Sequence, residues 1–347
     1  MKAICFRDIQ DVVVQTIPDP QIESPSDAIV RVRMAGLCGS DLHPFYGRER
    51  GIEVGTVMGH EFVGEVIEVG ERVTKFRTGD RVGAPFTTSC GKCFYCQSGL
   101  TSRCIHCEQF GWIEKDYGLH GGQAEYVRVP HADGTLVKMP EGLSDEAALL
   151  LGDNLSTGFF GMEMAGLNED SAVVVVGCGT VGLLAIVSAH WIGLRRVIAV
   201  DPDEARCEQA RQLGAIAFTD KDAAMAEVRS HTHGRGADAV VELVGLPDAQ
   251  RTAYELIRPG GTMSVIGCHC TPGFAFSPAE AYGKNLTYRT GRCPARAYME
   301  PLAHRLIANP VDLSWVCTHR FSVDEGVEAY EVFANRKEGC IKAVIEF

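Results

Sequence analysis

The stretch VVVVGCGTVG, residues 173–182, decides the fold of the middle of this chain. Four consecutive valines are typical of a strand that is buried on both faces of a parallel sheet. Gly177, Gly179 and Gly182 then form a Gly-x-Gly-x-x-Gly pattern, with Thr180 and Val181 in the first turn of the helix that follows. Such glycines allow a tight turn, a close backbone approach to a pyrophosphate, and close packing of helix on strand. The stretch therefore predicts a dinucleotide-binding site.

A carboxylate stands where such a site needs one. Asp201 follows the next predicted strand, 19 residues after Gly182. There it can accept hydrogen bonds from the adenosine ribose and repel a 2′-phosphate, which favours NAD over NADP. Asp201 could instead cap the helix that begins near Pro202. Arg206 lies nearby and can accommodate a phosphate, so NADP remains the less favoured alternative.

The distribution of apolar, amphipathic and turn-forming segments divides the 347 residues into two predicted domains. Apolar runs alternate with amphipathic segments in the middle of the chain, which predicts βα units around a doubly wound parallel sheet, an α/β domain, over residues 155–294. Short β-type runs separated by Gly and Pro turns predict a mostly-β domain over residues 1–154, to which residues 295–347 return. The alternating segments are 172–176, 181–191, 196–200, 203–213, 237–244, 248–257 and 261–266.

The composition excludes several classes of protein. The chain has 33 Lys and Arg against 45 Asp and Glu, a net charge of −12, which disfavours binding to nucleic acid. The longest apolar run, residues 172–187, is interrupted by three glycines and too short to span a membrane. The N-terminal residues show no apolar leader, so a cytoplasmic protein is expected.

Four of the 14 cysteines are packed into one loop. Cys90, Cys93, Cys96 and Cys104 have the spacing Cys-x2-Cys-x2-Cys-x7-Cys, with which four thiolates can close a tetrahedral shell around Zn²⁺. A closed shell leaves no position for substrate, so the metal would be structural. Cys107 is the alternative fourth ligand, and an iron–sulfur cluster is the competing chemistry.

A second set of metal-ligating residues is dispersed along the chain, and each is uninformative alone. Cys38 lies in a Gly-Leu-Cys-Gly-Ser-Asp stretch, His60 and Glu61 in Gly-His-Glu, and Asp153 in Leu-Gly-Asp-Asn. Together with the cysteine loop and the glycine motif, in this order, they resemble the zinc-dependent medium-chain alcohol dehydrogenases. The resemblance runs from the first strand to Phe347.

The resemblance implies a GroES-like catalytic domain, a Rossmann domain, and a catalytic zinc. Cys38, His60 and Asp153 would hold this zinc and leave one position open, with Glu61 beside it as a ligand in resting states or an assistant in ligand exchange. Asp41 would hydrogen-bond His60. The best-known members have cysteine as the third ligand, whereas Asp153 resembles the branch that includes bacterial secondary-alcohol and glutathione-independent formaldehyde dehydrogenases.

By the same resemblance, further residues acquire expected roles. Ser40, the nicotinamide ribose and His43 would pass the substrate proton to water. Val181 would pack behind the nicotinamide, Lys342 would face the pyrophosphate, and Phe86 would line the substrate pocket.

The function expected from these features is hydride transfer between NAD and an alcohol or carbonyl substrate bound at zinc. Two alternatives remain: an aldehyde-handling relative, favoured by Asp153 and the Gly-Arg-Cys-Pro stretch at 291–294, and a polyol dehydrogenase, whose usual third ligand is Glu. Family members are usually homodimers or homotetramers. Cys268-His269-Cys270 follows a predicted strand, but its spacing is too tight for a closed metal site without other ligands.

Overall fold

The computed structural model describes all residues, Met1–Phe347, and divides into two compact units. The terminal unit combines both ends of the chain, Met1–Ser156 and Pro294–Phe347. The central unit is the contiguous segment Thr157–Cys293.

The first part of the terminal unit is mainly β structure. Its elements are β1 (Lys2–Asp8), β2 (Asp11–Thr16), β3 (Ala28–Gly36), α1 (Leu42–Phe45), β4 (Glu61–Val69), β5 (Arg81–Ala84), α2 (Phe94–Gln97), β6 (Trp112–Glu114), β7 (Tyr117–Leu119), β8 (Tyr126–Val129), α3 (Ala132–Thr135), β9 (Val137–Lys138) and α4 (Asp145–Gly152).

The central unit alternates strands with helices. Its elements are α5 (Asn154–Ala165), which begins just before the unit does, β10 (Val173–Val176), α6 (Thr180–Trp191), β11 (Val197–Val200), α7 (Glu204–Gln212), β12 (Ile216–Phe218), α8 (Lys221–His231), β13 (Ala237–Glu242), α9 (Pro247–Leu256), β14 (Ile257–Val265), α10 (Pro278–Gly283) and β15 (Thr287–Thr290).

The chain then returns to the terminal unit and completes its main sheet. The returning elements are α11 (Ala295–Ala308), β16 (His319–Ser322), α12 (Gly326–Ala334) and β17 (Ala343–Glu346). The sheet has the order β16-β17-β3-β4-β5-β9, with β8 also paired to β3. The last strand of the chain therefore lies between β16 and β3, where it is indispensable to the sheet. Phe62 and Phe110 pack edge to face in the core beneath it, with ring centres 5.1 Å apart.

The central sheet is parallel throughout, with the order β12-β11-β10-β13-β14-β15. This is the strand order of the dinucleotide-binding fold. All strands run parallel, but the order in which they follow one another in the chain reverses between β10 and β13, and the fold binds ligands at the carboxyl ends of its strands. The four valines of β10 are completely or almost completely buried because a strand lies on each side and helices cover both faces. The predicted α/β class is confirmed.

Most predicted strands and helices have counterparts, and the missed elements are informative. β12 and β15 are the two edge strands of the central sheet. β12 is an apolar run of only three residues, Ile-Ala-Phe, which is too short to indicate a strand by its pattern. β15, with the sequence Thr-Tyr-Arg-Thr, is largely exposed and has no apolar run. The sequence also gave no indication of α4 and α5. None of the helices combines the length and the hydropathy that crossing a membrane requires.

The start of α4 is fixed by a local hydrogen bond. Ser144 Oγ accepts from the backbone N–H of Ala147 at 3.2 Å, and the acidic Asp145 and Glu146 occupy the first turn. Both features stabilise a helix N-terminus. The end of α4 leads directly into Asp153, so this cap also supports the placement of that carboxylate.

We expect Ser144→Ala to lower the free energy of unfolding of the terminal unit by about 1 kcal/mol, because the N-cap acceptor is lost. Urea denaturation followed by circular dichroism measures this as a lower midpoint. Ser230→Ala, which removes an exposed hydroxyl at the end of α8, is the control and should leave the midpoint nearly unchanged. Equal midpoints for the two variants would contradict the role of Ser144.

Candidate active site

Cys38 is held by a tight turn just beyond β3. Its backbone N–H donates to Oδ2 of Asp41 at 2.9 Å, and the N–H of Asp41 donates to the Cys38 carbonyl at 3.0 Å. The preceding Leu37 donates its N–H to Ala343 in β17. The turn therefore fixes the thiol against the centre of the main sheet.

His60 and Glu61 reach the same place from the neighbouring strand. β3 and β4 are antiparallel with Gly36 opposite Glu61, so the residue before β4 and the residues after β3 meet at one end of the sheet. A Cβ atom on Gly36 would lie 2.1 Å from Oε2 of Glu61. Only glycine at position 36 leaves room for this carboxylate.

Asp153 joins the cluster from a third segment, where the helical backbone is interrupted. It lies between α4 and α5 with φ −146° and ψ −76°, outside the helical region. Its Oδ2 is 3.4 Å from both Cys38 Sγ and His60 Nε2. The potential ligand atoms of Cys38, His60, Glu61 and Asp153 all lie within 4.8 Å of one another, and all four residues are buried. The structure thus brings together residues that are up to 115 positions apart.

The groups of this cluster shift one another's pKa values. Burial, followed by the Asp153 and Glu61 carboxylates, raises the pKa of the Cys38 thiol to about 11. Burial alone would lower the pKa of His60, but the surrounding Asp41 and Asp153 carboxylates raise it well above its usual value. A divalent cation would stabilise the thiolate and the neutral imidazole instead. The donor set of one sulfur, one imidazole nitrogen and one carboxylate oxygen suits Zn²⁺ with an open position.

Asp41 fixes the orientation of the histidine ring. Its Oδ1 lies 2.9 Å from His60 Nδ1, which confirms the predicted contact and leaves Nε2 directed at Cys38 and Asp153. Asp41 is in turn approached by Gln123, whose Oε1 accepts from the Tyr330 hydroxyl at 2.9 Å. Neither Gln123 nor Tyr330 could be predicted from the sequence, because neither is a metal ligand or part of a motif.

Glu61 has its own set of partners. Lys342 forms an ion pair with Glu61 Oε2, and Asn154 donates to Oε1 at 2.8 Å. Both members of the ion pair are completely buried, and Lys342 Nζ also donates to the Leu37 carbonyl at 3.1 Å. This placement contradicts the prediction that Lys342 faces a pyrophosphate, since a buried ammonium already bound to a carboxylate is closed to a ligand arriving from solvent. The pairing with Glu61 was not predicted.

Ser40 and His43, the two residues of the expected proton relay, follow Cys38 closely in the chain. Ser40 Oγ is 3.2 Å from Cys38 Sγ and 3.2 Å from His60 Nε2. His43 is 6% exposed, so it is not a surface residue, and its Nδ1 is buried without a hydrogen-bond partner. Burial and the nearby Arg48 lower the pKa of His43, which favours the neutral imidazole. The Phe86 ring lies edge-on to His60 with ring centres 6.4 Å apart.

The four cysteines of the loop also converge. The sulfur atoms of Cys90, Cys93, Cys96 and Cys104 lie within 4.8 Å of one another, as a tetrahedral site requires. Cys104 Sγ accepts backbone N–H groups from Cys90 at 3.2 Å and His106 at 3.3 Å, contacts that stabilise a thiolate. Cys107 instead donates to the Ser102 carbonyl at 3.5 Å. The geometry therefore selects Cys104 over Cys107 as the fourth member.

In the central unit, the glycine motif has the expected close packing. A Cβ on Gly182 would lie 1.8 Å from the Gly177 carbonyl oxygen, so the turn between β10 and α6 needs glycine there. Gly177 has φ +95°, which also favours glycine. Gly179, Thr180 and Val181 at the start of α6 are partly exposed, whereas the helix behind them is buried.

Asp201 lies next to this motif. Its Oδ2 accepts from the Cys178 N–H at 2.8 Å and its Oδ1 from the Asp203 N–H at 3.0 Å. Asp203, not Asp201, caps α7, so the capping alternative is wrong. Arg206 lies 3.9 Å from Asp201 Oδ2. The carboxylate thus joins the glycine turn to the end of β11.

Both units of the structure match known protein families. Residues 24–141 match the model of the alcohol dehydrogenase GroES-like domain, and residues 180–309 match that of the zinc-binding dehydrogenases. Zinc-type alcohol dehydrogenase B from Aspergillus flavus is 41% identical, over 96% of this chain and 78% of its own. The medium chain reductase/dehydrogenase ucsI from Acremonium sp. is 48% identical, over 81% of this chain and 98% of its own.

Comparison with solved structures also gives an alcohol dehydrogenase. Alcohol dehydrogenase TADH from Thermus sp. ATN1 superposes with a TM-score of 0.93 at 35% identity, covering 100% of this chain and 99% of its own. The fold and the site define a zinc-linked, nicotinamide-dependent oxidoreductase that acts on alcohols. The chain belongs to the zinc-dependent alcohol dehydrogenases of the medium-chain dehydrogenase/reductase superfamily.

The cysteine loop allows a matched pair of variants. We expect Cys104→Ser to lower the zinc content by about one ion per chain and to lower the thermal midpoint, because a zinc ion bound by these four thiolates would lose one of its ligands. Cys107→Ser should leave both quantities unchanged. Elemental analysis and thermal denaturation of the two purified variants measure this. Zinc loss in Cys107→Ser with retention in Cys104→Ser would reverse the assignment.

Proposed function

We propose that Cys38, His60 and Asp153 hold the catalytic zinc of an NAD-linked alcohol dehydrogenase, and that Cys90, Cys93, Cys96 and Cys104 hold a second, structural zinc. The observation that carries the catalytic assignment is the convergence of the three ligand atoms in a buried cluster whose histidine is fixed by Asp41. When bound, zinc acts as a Lewis acid on the alcohol oxygen, and the nicotinamide accepts hydride from the alcohol carbon.

In this proposal, Glu61 assists and does not serve as a permanent ligand. Its two carboxylate oxygens are bound to Lys342 and Asn154. Exchange of these partners would free the carboxylate to assist ligand exchange at a metal held by Cys38, His60 and Asp153. Lys342 then acts as a positioning residue that holds the carboxylate back.

The chain also supplies the groups that remove the substrate proton. Ser40 Oγ lies beside two of the proposed ligands and can accept the proton of an alcohol bound there. His43 has a buried Nδ1 without a partner, which fits a ring that completes its hydrogen bonds only with a cofactor ribose hydroxyl. The lowered pKa of His43 keeps the ring neutral, and therefore able to accept a proton, in the physiological range.

The cofactor would bind at the glycine motif, with its pyrophosphate at Gly177, Gly179 and Gly182, Thr180 in the first turn, and Val181 behind the nicotinamide. Asp201 favours NAD over NADP because it is an acidic side chain at the end of β11, where the ribose lies in this fold. The Arg206 guanidinium is already directed toward Asp201, so its charge is engaged there. The Asp201 carboxylate is then the charge that decides the cofactor preference.

The substrate is a small alcohol or the corresponding aldehyde or ketone. The exposed strand β15 at the edge of the central sheet offers a surface through which two copies can pair, so we propose a homodimer or a homotetramer. We also propose a cytoplasmic location, because thiols that bind zinc persist best in a reducing compartment.

Variants of Asp153 test the catalytic site. We expect Asp153→Asn to lower kcat for NAD-linked alcohol oxidation by at least about 100-fold, because a neutral amide is a poor zinc ligand. Zinc content should fall toward one ion per chain, while circular dichroism stays unchanged. Asp19→Asn, an exposed carboxylate paired with the N-terminus, is the control and should retain full activity. Full activity in Asp153→Asn would remove this residue from the site.

Variants of Asp201 test the choice of cofactor. Asp201→Asn keeps the shape but removes the charge that repels a 2′-phosphate, and it frees Arg206 to bind one. We expect the ratio of kcat/KM for NAD to that for NADP to fall about tenfold or more. Asp203→Asn, the α7 cap two residues away, is the matched control. An unchanged ratio in Asp201→Asn would contradict the proposed contact with the ribose.

A further inference from the structure

Two thiol groups lie side by side at the carboxyl edge of the central sheet. Cys268 and Cys270 follow β14 in the chain, and their sulfur atoms are 4.0 Å apart. Cys268 is exposed and Cys270 is partly exposed, whereas the other cysteines of this unit, Cys178, Cys207 and Cys293, are buried. Solvent-borne reagents therefore reach this pair before the buried thiols of the unit.

The loop that bears the pair packs tightly on the loop after β13. A Cβ atom on Gly245 would lie 2.3 Å from the Cys268 carbonyl oxygen and 2.8 Å from its backbone nitrogen. The adjacent Val244 lies against the glycine motif, since a Cβ on Gly177 would be 2.4 Å from Val244 Cγ2. One loop therefore separates the thiol pair from the first glycine of the cofactor site.

A buried carboxylate joins these two loops. Glu242, at the end of β13, is completely buried, and its Oε1 accepts the N–H groups of Val244 and Gly245, each at 2.8 Å. Its Oε2 lies 3.0 Å from Nε2 of His269, the residue between the two cysteines. The position of His269 thus affects the loop that touches the glycine motif.

We propose that Cys268 and Cys270 form a reversible redox modification site, and that their disulfide weakens cofactor binding. The oxidant class is a low-molecular-weight disulfide such as oxidised glutathione. The inference about cofactor affinity rests on the proposed cofactor site, whereas formation of the disulfide does not.

The reaction proceeds by two exchanges. The Cys268 thiolate attacks one sulfur of oxidised glutathione, which forms a mixed disulfide and releases one glutathione thiolate. The Cys270 thiol loses its proton to solvent, attacks Cys268 Sγ and displaces the second glutathione as a thiolate. The two protein thiols are oxidised by two electrons, and one glutathione disulfide is reduced to two thiols.

Closure of this disulfide strains the loop. The sulfur atoms must move from 4.0 Å to a bond of about 2 Å across a single intervening residue, which bends the backbone at His269. The bend draws His269 away from Glu242 and disturbs the loop that the carboxylate holds. Strained, exposed disulfides are also readily reduced, so the modification is reversible by ordinary thiols.

The test uses the zinc-loaded enzyme treated with oxidised glutathione and then with dithiothreitol. Trypsin releases residues 252–284 as one peptide, because Arg258 precedes a proline, and Cys268 and Cys270 are its only cysteines. We expect this peptide to lose two hydrogen atoms on oxidation and to resist alkylation. Fluorescence titration should show a Kd for NADH that is about tenfold higher after oxidation and restored after reduction.

Variants and zinc analysis separate the possible outcomes. Cys268→Ser and Cys270→Ser should bind NADH like the reduced enzyme before and after treatment, whereas Cys5→Ala should respond like the unaltered chain. Zinc content measured in parallel must stay constant, so that damage to the metal sites does not imitate the effect. Failure of the peptide to oxidise, an unchanged Kd on oxidation, or a Kd change that persists in Cys268→Ser would each overturn the proposal. If the reduced enzyme does not bind NADH, the proposed cofactor site is refuted instead. The mass of the peptide does not depend on that site, so it reports formation of the disulfide separately.

Discussion

The burial of several acidic groups in one small volume is the constraint that the terminal unit is built to satisfy. Cys38, Glu61 and Asp153 place a thiol and two carboxylates within 4.8 Å of one another. Two like charges about 4 Å apart repel by roughly 4 kcal/mol at an effective dielectric constant of 20. The buried Lys342 compensates for Glu61, and the divalent ion that the site is proposed to bind compensates for the other two. Gly36, the β3–β4 register and the break before α5 all bring these charges together.

The features that could be predicted from the sequence are those in which the spacing of residues along the chain determines which atoms come together. The glycine motif and the four-cysteine loop are local, so the order of residues in each nearly determines which atoms meet. The βα alternation predicted the central sheet for the same reason. The dispersed ligands Cys38, His60 and Asp153 became interpretable only through the resemblance to a family, because no spacing relates three separate segments.

The parts that could not be predicted depend on side-chain contacts between distant segments. Lys342 is 281 positions from Glu61 in the chain, and nothing in a lone lysine near a C-terminus indicates a buried ion pair. Gln123 reaches Asp41 from one further segment, and Tyr330 reaches Gln123 from another. Glu242 resembles an ordinary strand residue until its three partners are seen. Edge strands β12 and β15 were missed because β12 has only three residues and β15 is polar and largely exposed.

The division of the chain has a consequence for biosynthesis. The central unit is contiguous and can fold as soon as its residues leave the ribosome, whereas the main sheet of the terminal unit needs β17, which follows the whole central unit in the chain. Lys342 is also synthesised after the central unit, so Glu61 has no ammonium partner until that point. A chain that stops before Lys342 would therefore keep every residue of the central unit but lack both β17 and the ammonium partner of Glu61.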